Sequence, residues 1–263
     1  MRAVILSVLG VVVVAMTMTG GTVGVDTTAV SLPLNSAIKS ILPTRGEVVG
    51  VAHPVVITFN GPIANRQAAE RAIGVKSNVA MTGKFQWLDD NVVQWVPDRF
   101  WPAHTTIALS VASRPTEFAT GPAVVGVADL SEHTFTVTVD GVATGPAPHH
   151  LPHAGEAGVL LASMGRPDYP TPVDTYTVLS KDRSVIMDSS TVGIPVDDPD
   201  GYRLSVDYAV RISSRGLYVH SAPWAVQSMG YENVSHGCIS LSPATAEWYF
   251  NTVEVGDPVI VQE

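Results

Sequence analysis

The alternation of apolar and polar positions along the chain is dominated by period two, the repeat of a half-buried strand. Val48–Val51, Val55-Val56-Ile57-Thr58-Phe59, Lys84-Phe85-Gln86-Trp87, Val92-Val93-Gln94-Trp95 and Thr106–Val111 all read as short strands. Asp89-Asp90-Asn91 separates two of them and predicts a hairpin turn. One helix is predicted over Ala64–Ile73, where Arg66, Glu70 and Arg71 sit among alanines. Strands at this spacing predict a small sandwich over 43–122. The Gly/Pro/Ala stretch Ala119–Gly126 marks a boundary, and 126–263 reads as a second, mainly β domain with short helices. There His133–Val139 alternates strictly and ends at the tight-turn pair Asp140-Gly141. A loop follows over 145–155. Tyr176–Leu179 and Val185–Met187 read as strands joined by a turn at Lys181-Asp182-Arg183. Val206–Ile212 fits a helix or a strand equally. Leu217–His220 and Val259–Val261 close the set of strands. Ser242-Pro243 starts a helix through about Val253, with Ser as cap and Pro at the first helical position.

Composition narrows the classes. The chain has 263 residues, of which 46% are hydrophobic and only 15% charged, so most of it can fold. Its 22 Gly and 19 Pro exclude a long helical bundle. A formal charge of −9 argues against a nucleic-acid partner held through phosphates. Arg2 precedes an apolar run reaching Gly20, so residues 1–20 are expected to be a secretory signal peptide or an uncleaved N-terminal anchor, with 21–42 as a linker. The protein is therefore expected outside the plasma membrane. Cys238 is the only cysteine, which excludes an internal disulfide and any zinc site needing two thiolates.

An unpaired thiol in an exported chain is either an inert core residue or a nucleophile. Its neighbours are Ser235-His236-Gly237-Cys238, with Val219-His220-Ser221 upstream. Gly237 leaves room for a substrate backbone beside the sulfur. A thiol needs an imidazole to ionise near neutral pH. His220 ends a separate strand, so the fold can bring its ring to the sulfur. His236, two positions from Cys238, is read as a ring that fixes the loop by hydrogen bonds. No acidic residue adjoins either histidine, so a backbone carbonyl is expected to orient His220.

These residues carry a resemblance. His220-Ser221-Ala222-Pro223-Trp224 followed by Ser235-His236-Gly237-Cys238 resembles the signature of the L,D-transpeptidase catalytic domain, in particular its mycobacterial members. Ile186–Thr191, Gly201-Tyr202-Arg203 and Ser242-Pro243 extend the likeness. Gly46–Val51 and Arg99-Phe100-Trp101 resemble the immunoglobulin-like domain that precedes it in those proteins. The resemblance implies an immunoglobulin-like sandwich followed by a catalytic β-sandwich. It implies a peptidoglycan transpeptidase whose cysteine attacks the bond after meso-diaminopimelate in a tetrapeptide donor stem, releases D-Ala, and passes the acyl group to an acceptor stem as a 3→3 cross-link. It makes Cys238 the nucleophile, His220 the base and the Ser221 carbonyl its orienting group. The N–H groups of Gly237 and Cys238, with the Tyr202 hydroxyl, would hold the oxyanion. Met187 and Trp224 would line the cleft, with Ser235, His236 and Ser240 also contacting substrate. Carbapenems acylate the cysteine in this family, and the same is expected here. The chain departs from the family in having Ser240 two residues after the cysteine instead of Asn, and Asp174 for the Gly of a T-P-x-G segment. The C-terminal extension of some relatives is missing.

Other readings remain open at this point. An L,D-carboxypeptidase would use the same residues with water as acceptor, and a wall-binding module would use none of them. His149, His150, His153 and Glu156 offer a weak metal site, as do His220, His236 and Cys238 together. Asp197, Asp198 and Asp200 read as a solvated loop with calcium as a weak second. Trp87 and Trp95 read as core or sheet-face residues, and Trp248 and Tyr249 as core. No metal or other cofactor is expected, and the chain is expected to be monomeric.

Overall fold

The computed structural model describes residues 37–149 and 151–263. The expected leader, the linker before residue 37 and His150 lie outside the described residues.

Two four-stranded sheets form the first domain. One orders β1 (Ile38–Leu42), β3 (Val55–Phe59), β6 (Val92–Pro97) and β5 (Gly83–Asp89) as β1-β3-β6-β5. The other orders β2 (Val48–Val49), β8 (Arg114–Thr120), β7 (Thr106–Val111) and β4 (Lys76–Ser77) as β2-β8-β7-β4. Alternation put Val55, Ile57 and Phe59 inside, and all three are buried. Trp101 ties the core, with its ring 5.7 Å from Trp95 and 5.5 Å from Phe118. Helix α1 (Arg66–Ile73) starts where the Asn65 side chain accepts the Ala68 N–H at 2.9 Å. Trp87 lies on the sheet face, donating to Glu70 at 2.6 Å and stacking on Phe59 at 6.0 Å.

The second domain is one hydrogen-bonded path of strands. Its members are β9 (Val124–Asp129), β10 (Thr134–Val139), β11 (Val142–Ala143), β12 (Val159–Ser163), β13 (Asp174–Thr177), β14 (Ser180–Asp188), β15 (Arg203–Arg211), β16 (Tyr218–Ser221), β17 (Ile239–Leu241) and β18 (Pro258–Gln262). They order as β13-β18-β9-β10-β12-β17-β16-β15-β14, with β11 on β10. Helix α2 (Pro243–Thr252) is capped by the Ser242 hydroxyl, as its sequence requires. Its Tyr249 meets Phe135 edge-on at 4.9 Å in the shared core. Both domains are mainly β, a two-sheet sandwich before a many-stranded domain with few helices.

Two expectations need correction. Ile38–Leu42 is no linker, because its backbone pairs with β3. Lys181-Asp182-Arg183 make no turn: they lie inside β14, paired with Val210, Ala209 and the residues around them in β15. The polar run there reflects exposed strand faces, since Asp182 and Arg183 are exposed. The partner of β13 is β18 instead. Val206–Ile212, undecided by period, is extended as far as Arg211.

The domains meet where Gly50 N–H donates to Val255 O at 2.8 Å and Ala52 N–H to Gly256 O at 2.7 Å. Gly50 is required there, since a Cβ would lie 2.1 Å from the Asp257 nitrogen.

Candidate active site

Strands β16 and β17 are parallel neighbours, so the chain must cross over between them. The crossover, 222–238, carries the candidate chemistry. Its outward leg holds Trp224 on a short 3-10 turn over Pro223–Ala225, and its return leg is Ser235-His236-Gly237-Cys238. The register sets His220 opposite Ser240. Side chains two apart on an extended segment share a face, which aims Cys238 the same way as Ser240 and His220. All three line one cavity of about 280 Å³ with Met187, Tyr202, Trp224, Ser235 and His236. The sequence also pointed to Ser221 and Gly237, which lie one residue outside this lining and act on it through their backbones.

His220 is buried, and its Nδ1 lies 2.8 Å from the Ser221 carbonyl. A carbonyl can only accept, so Nδ1 carries the proton and Nε2 keeps its lone pair. Burial lowers the ring's pKa below the ordinary histidine value, against the raising effect of that carbonyl. Cys238 is half-buried as a residue, but its sulfur is enclosed. Burial pushes the thiol up to about 11, only partly countered by the Tyr218 N–H. At neutral pH it is a thiol, and it donates to Gly216 O at 3.7 Å. The resting pair is therefore neutral imidazole and neutral thiol. Such a pair can form a covalent bond to a carbonyl carbon if the ring takes the proton during attack.

Two details differ from expectation. Gly237 N–H is not free to hold an oxyanion, because it donates to Ser235 Oγ at 3.1 Å. The same hydroxyl donates to Cys238 O at 2.7 Å, and this closes the turn at Gly237, whose φ is +113°. His236 fixes the loop less by hydrogen bonds than by ring contacts. It packs against Tyr169 at 4.8 Å and Tyr202 at 5.0 Å, while Nδ1 meets Arg166 only at 3.5 Å, the Asp200 backbone faces the ring, and Nε2 makes no close hydrogen bond among the described residues. Thr171, from the segment that departs from the family pattern, donates to Gly237 O at 2.7 Å and anchors the turn from the other side.

The wall residues Leu204, Ala225 and Val234 went unnoticed in the sequence, as did Arg166, Tyr169 and the role of Asp200. Leu204 stands opposite Met187 across β14 and β15, a register that only the structure gives. Asp200 is no free calcium ligand: Arg166 Nη2 reaches its carboxylate at 2.5 Å and the Tyr169 hydroxyl at 3.1 Å. His153 Nδ1 lies 3.2 Å from Glu156. Among the described residues no three His, Cys, Asp or Glu side chains are placed to hold a metal.

A second cavity of about 350 Å³ shares Met187 and Tyr202 with the first and adds Asp188, Arg211, Arg215, Gly216 and Tyr218. The Cys238 thiol donates to the carbonyl of Gly216, a residue of the second cavity's lining.

Comparison with known proteins finds relatives over the full length of the chain. Residues 123–261 match the family described as L,D-transpeptidase catalytic domain, and residues 15–116 match the bacterial Ig domain. The chain is 67% identical over its full length to the full length of probable L,D-transpeptidase 3 of Mycobacterium tuberculosis. The crystal structure of that organism's L,D-transpeptidase 3 in complex with a faropenem-derived adduct superposes with a TM-score of 0.84 at 73% identity, covering 86% of this chain and 98% of that one. The LD transpeptidase LdtMt1 in complex with imipenem gives a TM-score of 0.79 at 48% identity, covering 86% of this chain and 99% of the other.

Proposed function

The chain belongs to the L,D-transpeptidase family, and from that premise we propose that it forms 3→3 cross-links in peptidoglycan through a thioester on Cys238. The observation that carries this reading is His220, held by its Nδ1 on Ser221 O and facing the same cavity as the sulfur. Nε2 of His220 takes the thiol proton as Sγ attacks the diaminopimelate carbonyl of a donor stem. The C–N bond to D-Ala breaks, the proton leaves with that amine, and the thioester remains. The side-chain amine of an acceptor stem then attacks, Nε2 takes its proton, and the proton returns to sulfur as the new amide forms.

The Cys238 N–H and the Tyr202 hydroxyl are the oxyanion donors in this reading, and Gly237 joins only by releasing Ser235 Oγ. Transfer to an amine is favoured over hydrolysis by the second cavity. Its Gly216 carbonyl accepts from the Cys238 thiol, and its Asp188 carboxylate, held ionised by Ser190 and Arg203, suits an incoming ammonium. Peptidoglycan lies outside the plasma membrane, so the protein acts there, exported by its apolar N-terminal segment.

Intact-protein mass after incubation with meropenem tests the nucleophile. One drug mass should be added to the wild type and none to Cys238→Ala. Product analysis from a tetrapeptide donor, with and without an acceptor amine, tests transfer. Only released tripeptide, even with acceptor present, would make the protein a carboxypeptidase.

A further inference from the structure

Behind His236 lies a set of side chains that the reaction above does not use. They come from two segments flanking the cleft. One is the strap 165–171, which enters beside Ser235 through a Gly165–Ser235 bridge and an Arg166 N–H bond to Ser235 O at 3.0 Å. The other is the loop 189–202, which ends in Tyr202 on the cavity wall.

A single carboxylate joins them. Asp200, on the loop, receives Arg166 Nη2 on Oδ1 and the Tyr169 hydroxyl on Oδ2. Arg166 lies over the Tyr169 ring at 4.7 Å, so its plane is fixed by a stack as well as by the ion pair. Its other terminal nitrogen faces His236 Nδ1 at 3.5 Å. The His236 ring is held between Tyr169 and Tyr202. Gly201 makes the loop turn tight enough for this, since a Cβ there would lie 2.2 Å from Pro195 O.

We propose that Arg166, Asp200 and Tyr169 form a clasp that positions His236 and Tyr202 against the Cys238 turn, and so sets the rate of acylation without touching the acyl group. The inference rests on the transpeptidase reading of the same cavity. The physical reason is geometric. His236 precedes Gly237-Cys238 in the chain, and Tyr202 is the wall facing the sulfur. A loop joined to the strap only by water would let both drift, and small misplacements of reacting groups are costly. The guanidinium facing Nδ1 also discourages a proton there. Burial is the main cause of the lowered His236 pKa and Arg166 the next, with Asp200 opposing them. Tyr169 and Tyr202 are the other titratable groups packed on the ring.

Arg166→Met, Asp200→Asn and their double variant test the clasp, with meropenem acylation followed by stopped flow. Each single variant should slow the saturated acylation rate by about tenfold or more, with little change in half-saturating drug. The double variant should be no slower than the worse single one, because the clasp works as a unit. Tyr169→Phe removes one hydroxyl, keeps both ring contacts and should still lose rate severalfold; it serves if the larger changes unfold the protein. Histidine ring NMR gives a readout that a merely structural role would not move. His236 should titrate higher in Arg166→Met than in wild type, and no higher in Asp200→Asn. Wild-type rates in folded single variants, independent additive losses, or an unmoved His236 titration would each overturn the clasp. A wild type that takes no drug at all would instead remove the transpeptidase reading, while the NMR titration would still report on the clasp.

Discussion

Nδ1 of His220 donates to the carbonyl oxygen of Ser221, its own neighbour in the strand, at 2.8 Å. A backbone acceptor carries no net charge, so it fixes the tautomer while raising the ring's pKa less than burial lowers it. Burial then lowers the ring's pKa and raises the thiol to about 11. The competent state is therefore neutral His220 with neutral Cys238. Meropenem acylation should rise from acid pH to a plateau, with its midpoint below the ordinary histidine value of about 6.5. The rate should not climb further until pH nears the thiol's own titration. A rate that keeps rising tenfold per pH unit between about pH 7 and 9 would show free thiolate to be the reactive species instead.

His220→Ala should slow acylation by about a hundred- to ten-thousandfold, the usual worth of a positioned base. Some residual acylation should survive, because the sulfur and its cavity remain. Single-turnover mass spectrometry resolves such slow adduct growth. Rates within threefold of wild type would assign the proton to another group, and His236 lines the same cavity.

Gly237→Ala tests the turn itself. The backbone there sits at φ +113°, which an L side chain rarely adopts, and a Cβ would come within 3.2 Å of Leu217 Cδ2. The leucine tip can yield, so the backbone is the larger cost, about 1–3 kcal/mol. A lowered melting temperature and slower acylation should appear together, because Cys238 is the next residue. Unchanged melting with slowed acylation would place the effect on substrate approach alone.

Much of this was legible beforehand. Val55, Ile57 and Phe59 announced a strand by alternation, and the Ser242-Pro243 start of α2 by its cap. That His220 and Cys238 line one cavity was legible too, because one lies near the end of a strand and the other follows a glycine turn. What escaped reading were contacts whose chemistry is ordinary in isolation. Arg166, Tyr169 and Asp200 are common surface residues, and only the fold brings them to one point behind His236. The polar start of β14 looked like a turn because Lys181-Asp182-Arg183 is charged. Lys181 nevertheless reaches the Val253 carbonyl at 2.5 Å, a partner that periodicity along one segment cannot show. Gly237 N–H, an oxyanion donor by the resemblance, is held by the Ser235 hydroxyl, and one-dimensional spacing does not say which way that hydroxyl turns.

Asp257 links the junction of the two domains to pH. It is 1% exposed, accepts the Glu254 N–H at 2.8 Å on Oδ2, and makes no close hydrogen bond on Oδ1 among the described residues. Burial raises its pKa to about 6, outweighing the N–H groups that face it from Glu254, Val51 and Val124, while the Glu254 carboxylate adds to the rise. An unfolded aspartate titrates near 3.9. The folded protein therefore binds the extra proton, and this contribution is complete below the unfolded value and lost as pH rises through about 6. Between pH 5 and pH 8 the loss amounts to roughly 1.4 kcal/mol. Other carboxylates tilt the curve too, so the informative quantity is the stability difference between wild type and Asp257→Asn. That difference, from urea unfolding, should move in favour of Asn by about that amount from pH 5 to pH 8. The Asn amide has no charge to desolvate at either pH, whereas the wild-type carboxyl must ionise beside Gly50 and the Tyr249 hydroxyl. An equal difference at both pH values would mean that Asp257 keeps an ordinary pKa in the folded junction.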